Sequence, residues 1–430
     1  MPFESASPGR RRRIAVIGAG ISGLGAAYAL SQSDDVVLFE AERRIGGHAR
    51  TVAVEADGGL AIDTGFIVFN DRNYPLLTKL FEALDTPTIP SNMSFGASFD
   101  DGALEYALRS LNSLFAQRRN LVRPAYLRML ADVLRFNRTA EYALADPGLT
   151  LGEYLDRQGL GAAFRDWYLL PFSAAIWSAA PADMLAFPAA TFVRFFKNHG
   201  LLSARGQPQW RTVKGGSRVY VEQLATALKA NGVAIRAGTP AIAVRHADGL
   251  SVRAAGGEAE AFDAVILACH ADQAERLLAQ PDADQTRILG ALRYTPNRAV
   301  LHTDARQMPR RRACWSSWNY LGGSGKAGGG AGVGVTYWMN RLQSLPTARQ
   351  YFVTLNPGDA IPDAHIVDAA EFAHPQFDRA AIAAQQSLPE IQGRYGIWYA
   401  GAYTRYGFHE DGLMSGLAAA QALGAAPAWA

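Results

Sequence analysis

Cysteine is scarce in this chain: among 430 residues only Cys269 and Cys314 occur. Two thiols cannot brace a chain of this length, so a disulfide framework is excluded and a reducing, cytoplasmic setting is expected. No uninterrupted apolar run is long enough to span a bilayer, so any membrane contact has to be peripheral, at its inner face. Charge of one sign is also lacking: the formal net charge is +3, too little for a general nucleic-acid binder. No internal repeat is visible, which excludes solenoids and propellers, and no metal site is expected. What the chain has in quantity is apolar residues, 49% of the total, and enough length for two domains.

The first informative stretch is "RRRRIAVIGAGISGLGAAYAL", Arg10 to Leu30. A charged start and an apolar middle suit an export signal, but such a signal has no use for glycines at fixed spacing. Gly18, Gly20 and Gly23 form G-x-G-x-x-G between a short apolar strand, Ile14 to Ile17, and a helix pattern, Ile21 to Ser31. A second apolar run, Val36 to Phe39, ends in Glu40, twenty residues beyond Gly20. This is a complete βαβ dinucleotide unit. Gly18 permits the tight turn, Gly20 lets backbone amides approach a pyrophosphate, and Gly23 lets the helix lie close to the strand. Glu40 is placed to accept hydrogen bonds from a ribose, and the arginines become a solvated basic edge. A second G-x-G-x-x-G, Gly323 to Gly328, has no helix pattern after it, so it reads as a flexible hairpin.

Further along, Gly58 to Asn70 alternates like a strand and turns at Asp63-Thr64-Gly65. Residues 75 to 197 read as mostly helical, and residues 293 to 357 as strands. "KGGSRVYVEQLATAL" opens a helix with a glycine turn, "FDAVILACH" is a buried strand, and residues 396 to 426 read as strand, loop and small-residue helix. Nucleotide-domain pieces thus occur at the start, middle and end. The expected fold is α/β: a discontinuous Rossmann-type FAD-binding domain over residues 10–75, 210–290 and 390–430, with an inserted α+β substrate domain over 76–209 and 291–389.

"IAVIGAGISGL…VVLFEAERRIGGHART" resembles the flavin-binding start of the amine oxidase and phytoene desaturase superfamily, "KGGSRVYVEQLA" its internal glycine motif, and "IWYAGAYTRYGFHEDGLMSGLAAA" its C-terminal flavin motif. "DTGFIVFN", "FFKNHGLL" and "GFHEDGLMSG" resemble a bacterial subgroup that includes the desaturase of furan fatty acid synthesis, which acts on methyl-branched fatty acyl chains. The resemblance implies FAD held by Gly18, Ala19, Gly20, Ser22 and Gly23 at the pyrophosphate and by Glu40 and Ala41 at the adenosine ribose. It implies Arg44, Gly47 and His48 in the second phosphate-and-flavin motif, Gly65 and Phe66 near the isoalloxazine, and Ala241 at the adenine. It implies Gly401, Leu413 and Met414 near the ribityl chain and flavin, with a helix from 413 onward aiming its N-terminus at the ring. Without a cysteine near that loop, FAD is expected to bind non-covalently.

Three departures from amine oxidases follow from the same comparison. His48 stands where those enzymes carry Arg, their lysine near flavin N5 falls at or beside Arg298, and their aromatic cage residue is here Leu413. An apolar residue there suits a hydrocarbon better than an amine. The implied activity is desaturation of a hydrophobic substrate, a methyl-branched acyl chain of a membrane lipid, by hydride transfer to flavin N5 and loss of a proton to a base. His409, Glu410 and His48 are the candidate bases; His409 equally suits a loop hydrogen bond, and Glu410 or Asp411 a helix cap. His302 reads as a structural residue in a packed strand. An amine oxidase and a non-enzymatic flavin-binding protein are the alternative readings.

One helical stretch, Arg123 to Tyr142, groups Tyr126, Leu127, Leu130, Val133 and Leu134 on one face and Arg128, Arg135 and Arg138 beside it. Such a helix either packs on its own domain or rests on an anionic membrane, and the aromatics at 192–196 are a second candidate for that contact.

Overall fold

A computed structural model describes residues 11–146, 148–177, 181–202, 206–247, 249–322, 334–427 and 429; the Gly323–Gly328 stretch lies outside them. Strand Arg13–Ile17 is the centre of a five-stranded parallel sheet ordered Ile397–Tyr399, Ala264–Leu267, Arg13–Ile17, Asp35–Phe39, Ala234–Arg236. Its side chains divide with the period of two that a strand imposes. Ile14 and Val16 enter one apolar cluster, and Ala15 and Ile17 enter another on the opposite face. Both faces are covered, which is why the run reads as continuously apolar.

Helices Ile21–Leu30 and His409–Ala422 cross on the first face. Their approach is set by small residues: a Cβ on Gly416 would overlap the Ser22 carbonyl oxygen, and one on Gly25 would press on Leu413. The opposite face carries helices Ala271–Leu277 and Ala283–Gly290 and an antiparallel sheet of Ala241–Arg245, Ser251–Ala254 and Ala259–Ala261. Helix Arg379–Ser387, within the 291–389 segment expected in the substrate domain, also buries Ala381 and Ala384 there.

The second sheet has seven strands, ordered Ile366–Pro375, Tyr294–His302, Phe352–Leu355, Val335–Trp338, Trp318–Gly322, Phe95–Phe99, Leu104–Ala107. The last two form a hairpin inside a region expected to be helical. A block containing helices Pro124–Thr139, Leu151–Arg157, Leu170–Trp177 and Ala189–Asn198 shares its core. Phe192, Phe195 and Phe196 are buried in that block, so the 192–196 aromatics are core and not a membrane contact. The buried side of Pro124–Thr139 is Tyr126, Met129, Asp132 and Phe136, which leaves Leu127 and Leu134 exposed instead of packed.

The basic edge before the first strand is paired, not merely solvated. Arg12 makes two hydrogen bonds to Asp34, at 2.7 and 3.0 Å, and Arg13 donates to Glu260 at 2.6 Å. With Arg236 on its other oxygen, Glu260 is pulled down to about 2 by these guanidinium hydrogen bonds.

Candidate functional site

At the carboxyl ends of the parallel strands lies a cleft of about 1140 Å³. This is where ligands bind in open α/β sheets. The chain turns from the first strand into the first helix through Gly18, which has φ +102°, a conformation open to glycine and strained for other residues. A Cβ on Gly23 would overlap the Gly18 carbonyl oxygen, so glycine is needed there for helix and turn to coexist. Gly20 caps the helix with extended backbone and no side chain over the N-terminus. Gly46 N–H donates to the Ala19 carbonyl at 2.8 Å, tying the second glycine motif to the first. Gly47 faces Gly20 so closely that a Cβ on Gly47 would lie 3.1 Å from the Gly20 Cα. The result is a bare helix N-terminus between two glycine backbones, a cradle suited to a pyrophosphate.

Glu40 follows the second strand. One carboxylate oxygen accepts from Ala19 N–H at 2.8 Å and the other from Glu42 N–H at 2.9 Å, which fixes it at the rim of the cleft. Arg44 donates to the carbonyls of Ala49 (3.0 Å) and Gly47 (2.8 Å), so it braces the glycine loop. Of the residues expected around FAD, the cleft is lined by Gly18, Gly20, Ser22, Glu40, Ala41, Arg44, Gly47, His48, Gly65, Phe66, Ala241 and Gly401.

Ala19, Gly23, Leu413 and Met414 do not line it. Ala19 and Gly23 are buried beneath the turn. Leu413 is fully buried against Gly25, so it cannot take the place of a cage residue facing substrate. Met414 lines a smaller neighbouring cavity of about 350 Å³ with Arg72, Asn198 and Arg405. The C-terminal helix begins at His409, four residues earlier than expected, with Gly407, Phe408 and His409 at the cleft. Arg298 is exposed and outside the cleft; Pro296 is the lining residue of that strand near it.

The candidate bases separate. Glu410 lines the smaller cavity, and its oxygens accept from Leu76 N–H (2.9 Å) and Leu77 N–H (3.0 Å). It caps helix Pro75–Ala83 and is not placed as a base. Asp411 accepts from Phe408 N–H at 3.0 Å and caps its own helix. His409 reaches the cleft and stacks on Phe66, ring centres 4.0 Å apart, with Nε2 2.6 Å from the Tyr220 hydroxyl. Burial lowers His409 to about 3 and keeps the Tyr220 proton on its oxygen. His302 bonds Thr354 Oγ1 at 2.7 Å within its sheet and is structural.

Sequence reasoning missed a convergence. Four of the eight histidines line the cleft: His48, His270, His374 and His409. His48 lies 5.8 Å from His270 and 5.6 Å from His374, ring centre to ring centre, and 5.0 Å from Phe372. His270 stacks on Tyr294, and His374 Nδ1 meets Asn297 Nδ2 at 3.0 Å. Burial is the largest cause that holds all four below the usual imidazole value: His48 well below it, His374 at about 4. No grouping of side chains suited to a metal ion occurs among the described residues. Cys269 also lines the cleft, pushed up to about 12 by burial, so it remains a neutral thiol.

A Rossmann sheet, a glycine-lined phosphate cradle and a cleft that runs on to the seven-stranded sheet define a dinucleotide-binding protein. The chain belongs to the family of flavin containing amine oxidoreductases, which matches residues 21–349. It is a flavoprotein, and its cofactor is FAD. Over 55 residues it is 49% identical to protoporphyrinogen oxidase 2, chloroplastic/mitochondrial, of Arabidopsis thaliana; that match takes in 13% of this chain and spans only 10% of the relative. Two solved structures show the same fold at TM-score 0.68. One is a putative protoporphyrinogen oxidase from Exiguobacterium sp. 255-15, 19% identical, covering 96% of this chain and 98% of that one. The other is a CLA-producing fatty acid isomerase from P. acnes, 15% identical, covering 97% and 99%. A putrescine oxidase is similar at TM-score 0.67 and 16% identity, over 96% of this chain and 99% of that one.

Proposed function

We propose that this FAD-dependent oxidoreductase desaturates a hydrophobic substrate, a methyl-branched fatty acyl chain of a membrane lipid. The observation that carries the reading is the lining beyond the glycine cradle: Ile176, Trp177, Trp318, Tyr337, Phe377 and Tyr406. The carboxylates that reach the cleft are Glu40, Glu42 and Glu371. Glu40 is held by backbone amides, Glu42 pairs with Arg44 at 3.2 Å, and Glu371 is exposed. None is a buried partner for a substrate ammonium, and an ammonium there would lack the pairing that a desolvated charge requires. Proteins of similar fold include a fatty acid isomerase as well as a putrescine oxidase, so the fold is compatible with an acyl chain.

FAD supplies the electron acceptor when bound, and the residues fitted to hold it are Gly18, Gly20, Glu40, Arg44, Gly47 and Ala241. The chain's own tasks are to align the acyl chain, exclude water and accept a proton. Aromatic walls serve the first two. For the third, the Tyr220 hydroxyl takes up Nε2 of His409 at 2.6 Å, so Nδ1 alone remains of that ring for a substrate. His48 lines the cleft between His270 and His374, with ring centres 5.8 and 5.6 Å away. His48 therefore becomes the first candidate base. A weakly basic imidazole suffices where the departing proton is adjacent to an electron-poor, alkyl-substituted allylic carbon.

The test is anaerobic mixing of holoprotein with phospholipids bearing methyl-branched unsaturated chains, with straight-chain lipids and with amines, while flavin absorbance is followed. Bleaching by the branched lipid is expected. Bleaching by amines alone would replace this reading with an amine oxidase, and bleaching by none with a non-enzymatic flavin protein.

A further inference from the structure

The surface around helix Pro124–Thr139 has no role in the cleft. Ten large apolar side chains are exposed among the described residues, and seven of them fall between Leu108 and Tyr142. Leu111 is 77% exposed and Val122 79%, with Leu121, Leu127 and Leu134 beside them in sequence. Single exposed leucines are ordinary; a concentration in one short stretch signals an interaction surface.

The same 35 residues hold seven arginines and two carboxylates, a net of +5 in a chain whose total is +3. Both carboxylates are occupied: Asp132 is buried, and Glu141 pairs with Lys197 at 2.7 Å. Arg135 makes only a loose pair with Asp132, at 3.9 Å. Arg128 and Arg138 have no ion-pair partner among the described residues, and both are exposed. The helix thus has two stripes. Tyr126, Met129 and Phe136 face the core; Leu127 and Leu134, one heptad apart, face outward with Arg128, Arg135 and Arg138 around them.

We propose that this face docks peripherally on an anionic phospholipid bilayer. The outward leucines and Val122 enter the headgroup boundary, and the arginines meet lipid phosphates. Nucleic acid would match the arginines but give the leucines no partner, and an apolar protein groove would do the reverse. The core beneath this helix is continuous with the aromatic end of the cleft: Tyr126, Met129 and Phe136 belong to the cluster against which Ile176, Trp177 and Trp318 pack. Docking surface and cleft belong to one packed unit. The inference stands on the surface and not on the acyl-chain reading, since binding is measured without turnover.

The test is co-sedimentation of the full-length holoprotein with phosphatidylcholine vesicles, with and without phosphatidylglycerol. Binding is expected only with phosphatidylglycerol, falling as salt approaches about 1 M, where the Debye length is ~3 Å. Arg128→Gln, Arg135→Gln and Arg138→Gln together are expected to weaken binding roughly a hundredfold, which corresponds to about 1 kcal/mol per arginine. Leu127→Ser with Leu134→Ser is expected to weaken it as well, and the flavin spectrum of both variants serves as the folding control. A wild type that stays in the supernatant, equal binding to neutral vesicles, or an arginine variant that binds like wild type would overturn the proposal. Undiminished binding of the leucine variant would do so too, because the site would then be a polyanion site and not a bilayer site.

Discussion

Gly20→Val separates cofactor binding from folding. Gly20 has φ −75° and ψ −178°, extended backbone that any residue adopts. The nearest heavy atom to a Cβ there is the Gly47 Cα at 4.0 Å, an ordinary contact. A Cβ at this position therefore fits the fold, and the folding cost of valine includes the poorer helix cap, about 1 kcal/mol. Its two methyl groups have to stand in the cradle, between the helix N-terminus and the pyrophosphate. Losing two charge-assisted amide bonds at about 1.5–3 kcal/mol each lowers FAD affinity by roughly 10² to 10⁴-fold. Gly23→Ala is the contrast, because its methyl overlaps the Gly18 carbonyl inside the fold and should disrupt folding itself. The assay pairs FAD titration of the apoprotein with its thermal melt. Gly20→Val should melt near wild type and come off the column colourless, whereas Gly23→Ala should be poorly folded. A yellow Gly20→Val protein, or one as unstable as Gly23→Ala, would refute the assignment of these glycines.

Asp63 joins three segments: it accepts from Thr51 Oγ1 (2.6 Å), Ser217 N–H (2.8 Å) and Oγ (2.8 Å), and Gln343 Nε2 (2.9 Å). Asp63→Ala strands these buried donors and should cost about 3–5 kcal/mol in denaturant unfolding; a loss under about 1 kcal/mol would show the node to be replaceable. Stability should also fall as pH drops below the ordinary imidazole value of 6.5. His48, His199, His270, His302, His374 and His409 all have lowered folded values, so the unfolded chain binds more protons there. Their contribution is complete above 6.5 and is lost towards about 4 for His199, His302 and His374 and about 3 for His409. Asp63 and Asp411, raised to about 6, and Glu410, also raised, act in the opposite direction but are fewer. Thermal melts of the apoprotein across this range should show a falling midpoint; a flat or rising one would contradict the burial of these rings.

The phosphate cradle was legible because its chemistry is local. Turn, close approach and helix packing each demand glycine at a fixed offset, so Gly18, Gly20 and Gly23 announce one another. The hairpin Phe95–Phe99 with Leu104–Ala107 was not legible, since every residue of both strands is buried and no alternation marks a strand. The available cue was the turn: Asp100, Asp101 and Gly102 all have positive φ. Glu410 could not have been assigned locally, because the helix end it caps lies more than 330 residues away. His270 and His374 were missed for the same reason, each being an isolated histidine until the two sheets bring them to His48.

Charge is distributed in a way that connects these features. The cleft gathers titratable rings yet keeps them neutral, because burial raises the cost of a charged imidazole above what any nearby carboxylate returns. Of its carboxylates, Glu40 and Glu42 are occupied by backbone or Arg44, and Arg50, which also lines it, makes two hydrogen bonds to Asp368 at 2.6 and 3.1 Å. Positive charge is concentrated instead on the outer helix, where it is exposed and largely unpaired. A chain arranged this way offers a cationic substrate no buried carboxylate within, since Glu371, the remaining carboxylate of the cleft, is exposed. An apolar chain with an anionic headgroup meets attraction at the surface and, beyond the glycine cradle, aromatic walls. The two proposals are thus separable by experiment but chemically consistent. Loss of vesicle binding in the arginine variant should raise the lipid concentration needed for turnover and leave turnover of detergent-dispersed lipid unchanged.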